Sequence, residues 1–158
     1  MQQQRGSSGF GQRPPQYPSS DRQPSFIDSD QYLRGGYFDQ QGHIRPEIIN
    51  VDALRAAMEL SNANPKLSNS QLYLFLVKLR SIEVRLDAGT EFEEMRAEVA
   101  SLSPAAAGAF NRKVAPRVFW TLMDKNVELA LKSERAFREG FLQHFKSIVQ
   151  YYPRQTGR

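Results

Sequence analysis

Apolar residues recur at three- and four-residue spacing along most of the chain after residue 36. The most informative series runs through the middle: Leu72, Phe75, Leu76, Leu79, Ile82 and Leu86 fall on one face of a helix. Ser68 with Gln71 three residues later forms a capping box just ahead of the series, so the pattern predicts one long helix from about residue 67 to Asp87. Leu74, Val77 and Val84 lie off the stripe, which predicts a helix in the middle of a bundle or against a partner. Lys78 and Arg85, seven apart, share one flank, and Arg80 lies on the other beside Tyr73.

The other elements are read in the same way. Asp39 and Gly42 bracket a tight turn that also takes in His43. Pro46 suits a helix start, and Ile48, Leu54, Met58 and Leu60 continue that helix to about Ala63, where Asn64-Pro65 ends it. Thr90 and Glu93 form a second capping box before Phe92, Met95, Val99 and Leu102. Ser103-Pro104 opens a small-residue helix, Ala105 to Phe110. A basic hinge, Asn111 to Arg117, leads from Pro116 into a helix with Val118, Phe119, Leu122, Met123, Val127 and Leu131 inward. Trp120, the only tryptophan, is expected as a core anchor. Ser133-Glu134 opens the last helix, striped by Phe137, Phe141, Phe145, Ile148, Val149 and Tyr152 and stopped by Pro153. His144 lies one place off this stripe and is expected at the core boundary. The predicted fold is all-α, a compact bundle of about five to six helices over residues 37–152.

Residues 1–36 are rich in Gln, Ser, Pro, Gly and Arg with few aliphatic side chains. Too little apolar area is available there to offset ordering entropy, so a disordered tail is predicted. Arg34-Gly35-Gly36 reads as flexible linker, and Phe26-Ile27 and Tyr32-Leu33 could dock locally. Residues 153–158 form a short C-terminal tail.

Composition narrows the chemistry. The chain has 158 residues and no cysteine, which excludes disulfides and thiolate metal sites. His43 and His144 are far apart in sequence, and Glu91, Glu94 and Glu98 share a helical face without a histidine to complete a metal site. No glycine-rich phosphate loop, Ser-His-Asp set or metal-ligand spacing is present, so neither an enzyme nor a cofactor is expected. The start lacks an apolar signal core and no apolar run is long enough to span a bilayer, which predicts a cytoplasmic location without membrane contact. The net charge of +4 is uneven: residues 111–158 carry ten basic against four acidic residues, a mild sign of a nucleic-acid face. A helical adaptor or oligomerisation module without a nucleic-acid role accounts for the same helices.

Four ordered segments resemble the small subunit of type III-A CRISPR–Cas effector (Csm) complexes. They are Tyr37-Phe38-Asp39-Gln40-Gln41-Gly42-His43-Ile44-Arg45-Pro46-Glu47, the helix start Leu67-Ser68-Asn69-Ser70-Gln71-Leu72, the pair of Leu102-Ser103-Pro104 and Arg112, and the closing helix from Phe141 through Ile148-Val149-Gln150-Tyr151. The resemblance implies a small, non-catalytic, all-α, RNA-binding subunit acting in antiviral defence. Copies would self-associate in a filament beside the crRNA-bearing backbone subunits and the large subunit, lining the channel that holds the crRNA–target RNA duplex. Arg112 matches the family's basic position. With Lys113 and Arg117 beside it in the hinge, and Lys78 and Arg85 assisting, it forms the expected contact to phosphate.

Overall fold

A computed structural model describes residues 24–154. Seven α-helices follow in chain order: α1 (Pro46–Ile49), α2 (Val51–Asn62), α3 (Asn69–Asp87), α4 (Phe92–Ala100), α5 (Leu102–Asn111), α6 (Arg117–Ala130) and α7 (Leu142–Tyr151). A π-helical stretch, Ala136–Phe141, runs straight into α7. Among the described residues the only β pairing is an isolated antiparallel bridge between Phe38 and Ile44 across the predicted turn. The all-α bundle is therefore the fold. The predicted first helix is divided at Asn50, whose backbone leaves the helical region (φ −112°, ψ −81°) while its side chain accepts from the Val51 amide.

The α3 stripe is buried as predicted, from Leu72 to Leu86, and Ser68 Oγ accepts from the Gln71 amide at 3.1 Å. Only half of the capping box forms, since the Gln71 side-chain oxygen is buried without a partner. At α4 the box does not form at all: the helix starts one residue later than Thr90 would cap it, and Glu91 occupies the cap position without a side-chain bond. The central position belongs to α7, which packs against α1, α2 and α3. α3 lies at the surface and leaves Tyr73, Leu74, Val77 and Val84 between 47 and 63% exposed.

Covering α7 on several sides explains His144. It is fully buried rather than at the core boundary. Its Nδ1 lies 2.6 Å from the Ile48 carbonyl, which can only accept, so Nδ1 carries the proton. Nε2 then accepts from the Tyr32 hydroxyl at 2.7 Å. Asn126 donates to the same hydroxyl oxygen at 3.0 Å, and Tyr37 donates to Asn126 Oδ1 at 2.7 Å. Burial holds the imidazole in its neutral form and pushes its pKa down to about 4. Each buried polar group in this chain of bonds has a partner, which removes the penalty for burying it.

Tyr32 belongs to the stretch predicted as tail, and here the structure moves the domain boundary. Residues 1–23 lie outside the described residues, but residues 24–36 form a succession of turns packed on the bundle. Phe26, Ile27, Tyr32 and Leu33 are all buried. Lys125 Nζ donates to the carbonyls of Ile27 (2.7 Å) and Ser29 (2.9 Å), and Glu59 accepts from the Ile27 amide at 2.9 Å. The Arg55 guanidinium lies 3.8 Å above the Phe26 ring. Arg34-Gly35-Gly36 is likewise no flexible linker. Both glycines take left-handed φ (+83° and +76°), and Arg45 Nη1 ties the turn down by donating to the carbonyls of Arg34 (2.6 Å) and Gly36 (2.7 Å). The next residue, Tyr37, packs so closely on the π-helical stretch that a Cβ on Gly140 would lie 2.2 Å from its ring.

Candidate nucleic-acid interface

The predicted basic hinge is a built corner between α5 and α6, which pack closely on each other. α5 ends in a Schellman motif. The Lys113 amide donates to Phe110 O at 2.9 Å, and the Val114 amide reaches back to Ala109 O at 3.0 Å. This motif places its C′ residue in the left-handed region, where glycine is usual. Here the position is held by Lys113, at φ +63°. Ala115 and Pro116 then bury themselves beneath the turn, and α6 starts at Arg117. Pro116 at the N-cap has no side-chain oxygen, so no side chain caps this helix start.

Arg112, Lys113 and Arg117 are all exposed at this corner. Among the described residues none of them forms an ion pair, and Asp124, the acidic neighbour nearest in sequence to Arg117, engages none of them. Most other arginines near acidic side chains are engaged: Arg135 with Glu139, Arg138 with Asp87 and Glu134, and Arg96 with Glu93. Arg117 is also placed against electrostatic preference, because a cation in the first turn opposes the positive end of the helix dipole.

The two assisting residues stand on a different helix. Lys78 is exposed on α3 without an ion pair among the described residues. Arg85 is exposed too, but its guanidinium is engaged by Glu98 of α4. Arg112, Lys113 and Arg117 thus share the turn between α5 and α6, whereas Lys78 and Arg85 stand on α3, whose Phe75 ring packs edge-on against Phe119 of α6. Glu91, Glu94 and Glu98 are exposed on α4, and among the described residues no cluster of His, Asp and Glu could hold a metal ion.

Two features of the corner escape a reading of the sequence. Trp120 packs against the hydrophobic core as expected but is only half-buried, and its indole stacks obliquely on half-buried Phe110, with ring centroids 5.9 Å apart and planes 33° from parallel. The uncapped start of α6 is the second. The sequence signal for the first is the i, i+3 spacing of Arg117 and Trp120. For the second it is Pro116 in place of a capping Ser, Thr, Asp or Asn.

A small helical bundle with three exposed cations at one corner, and among its described residues neither an ion pair to them nor a metal cluster, defines a class: a helical protein with a basic face. Its membership is narrower. The family described as Csm2 Type III-A matches residues 46–158, most of the chain, so the chain belongs to the Csm2 family and is a subunit of a type III-A CRISPR Csm complex. No curated protein and no solved structure matches it. Residues 24–45, which precede the matched region, are packed into the same core.

Proposed function

We propose that this Csm2 subunit is a non-catalytic RNA-binding element, which holds the crRNA–target RNA duplex by its phosphate backbone through the α5–α6 corner. The observation that carries the proposal is that Arg112, Lys113 and Arg117, three exposed cations within six residues beside an uncapped helix start, form no ion pair among the described residues. Ion-paired surface cations have little left to offer a ligand. Unpaired ones can exchange bulk counterions for phosphates, which is the main source of sequence-independent affinity for nucleic acid. A guide–target duplex presents shape and backbone to a protein, so base identity need not be read here. Lys78 extends the same field from α3, and Arg85 joins it on release from Glu98.

Self-association in a filament, beside the backbone and large subunits of the complex, belongs to the same proposal. The exposed apolar side chains Tyr73, Leu74, Val77 and Val84 on one side of α3 support it, since apolar surface of this kind suits an interaction face. That surface is also what favours the second reading, an adaptor that assembles with subunits and never touches RNA. Photo-crosslinking of a reconstituted complex separates the two. RNA binding at the corner predicts RNA-linked peptides from residues 108–120, and the adaptor reading predicts none from this chain.

A further inference from the structure

We infer that the α5–α6 corner also takes an unpaired nucleobase, stacked on the Phe110–Trp120 pair, while its phosphates rest on Arg112, Lys113 and Arg117. The inference rests on the phosphate reading above and adds the class of nucleotide recognised. Three observations carry it. Trp120 is a half-buried indole in contact with Phe110, so one part of the aromatic surface is braced by the protein and another is open. The indole N–H has no hydrogen-bond partner among the described residues. Finally, the pair adjoins the cationic turn: Trp120 stands one helical turn after Arg117 on the same side of α6, and the Lys113 amide donates to the Phe110 carbonyl.

An aromatic platform beside a phosphate-binding groove is the arrangement that grips single-stranded nucleic acid, because every base has a π-face whatever its identity. A base stacked inside a duplex has no free face to offer. The corner therefore prefers a nucleotide displaced from pairing, at a gap, bulge or strand end, and tolerates any of the four bases. The indole N–H, unpartnered among the described residues, adds one donor for a base edge or a phosphate oxygen. Arg112, at the C-cap of α5, folds its side chain back over Gly108, where a Cβ would lie 3.1 Å from Nη1.

Because Trp120 is the only tryptophan, its fluorescence reports the site without a label. The test titrates the full-length protein at low salt with three radiolabelled probes, reading affinity by filter binding for every variant and stacking by tryptophan emission in the wild type: an oligoadenylate, an abasic oligomer of equal charge, and a blunt RNA duplex. Stacking predicts that oligoadenylate quenches the emission, that the abasic oligomer binds without quenching, and that Trp120→Leu weakens oligoadenylate binding by roughly five- to a hundredfold. Trp120→Phe should recover most of that loss, and the abasic oligomer should bind wild type and Trp120→Leu alike. Melting curves confirm that each variant is folded. If Trp120→Leu leaves oligoadenylate affinity intact, or if quenching by the abasic oligomer is equal, the stacking inference is overturned and the phosphate reading stands. If charge reversal at Arg112, Lys113 and Arg117 leaves binding of all three probes unchanged, the phosphate reading fails, and the inference with it.

Discussion

Lys113 sits where its backbone would prefer glycine, and replacing it separates what the residue does for the fold from what it does for RNA. It occupies the C′ position of the α5 Schellman motif at φ +63°, with both motif hydrogen bonds formed. A left-handed L-residue costs roughly 1–2 kcal/mol through the clash of Cβ with its own backbone, which glycine avoids. Glycine gives back part of this gain, about 0.4–1 kcal/mol, by adding conformational freedom to the unfolded chain. Lys113→Gly should therefore stabilise the domain by a net ~0.5–1 kcal/mol, a rise in Tm of about 2–4 °C for a domain of this size. The side chain is exposed and without an ion pair among the described residues, so its removal sacrifices no packing. If Lys113 binds phosphate, the same substitution should weaken RNA binding and flatten its log–log salt dependence by roughly 0.7–0.9. The assays are thermal melting and RNA binding at several salt concentrations on one protein preparation. A lower Tm would refute the backbone argument. A higher Tm with an unchanged salt slope would remove Lys113 from the interface.

Three further perturbations test the core. Deleting the chain through residue 36 should abolish cooperative melting. It removes four buried apolar side chains at about 1.5–3 kcal/mol each and leaves His144 and Asn126 without Tyr32, and retention of a sharp transition would return the segment to the status of a tail. Gly140→Ala should destabilise by at least ~1–3 kcal/mol, because Tyr37, held by its bond to Asn126, cannot swing away from the new methyl; an unchanged Tm would show that the π-helical stretch has room. Acid should act through His144, whose folded pKa of about 4 lies below the ordinary 6.5. The unfolded chain then binds the extra proton first, so this contribution is complete above about pH 6.5 and declines as pH falls towards 4, by roughly 3 kcal/mol. His144→Gln should melt with a shallower pH dependence over that window, and equal slopes would show that His144 is not the group responsible.

Legibility in the sequence follows the range of the interactions. The α3 stripe from Leu72 to Leu86 can be read in full because an amphipathic helix records its buried face in its own periodicity. In the segment from Phe26 to Leu33 only the docking of its two apolar pairs can be read, since the order of the whole depends on Lys125, Glu59 and Arg55, distant residues whose role leaves no local pattern. Averaged with the Gln- and Ser-rich residues before it, its two apolar pairs also look too sparse to fold. His144 is misplaced by stripe counting, which assumes one covered face, whereas α7 is covered by α1, α2 and α3 together. At the corner, the charges of Arg112, Lys113 and Arg117 are legible but their freedom from ion pairs is not. Neither is the left-handed turn at Lys113, a position that glycine would have announced. Arg85 shows the converse: its charge suggests a ligand contact, while its partner Glu98 lies thirteen residues away on another helix.

The most direct test reverses Arg112, Lys113 and Arg117 to Glu together and measures target RNA retention by the reconstituted type III-A complex at two salt concentrations, with melting of the free subunit as the folding control. A phosphate-binding corner predicts a well-folded variant that assembles, releases RNA at a lower salt concentration than wild type, and shows a salt slope flattened by roughly 0.7–0.9 for each phosphate no longer neutralised. A well-folded variant with unchanged retention and unchanged slope would contradict it.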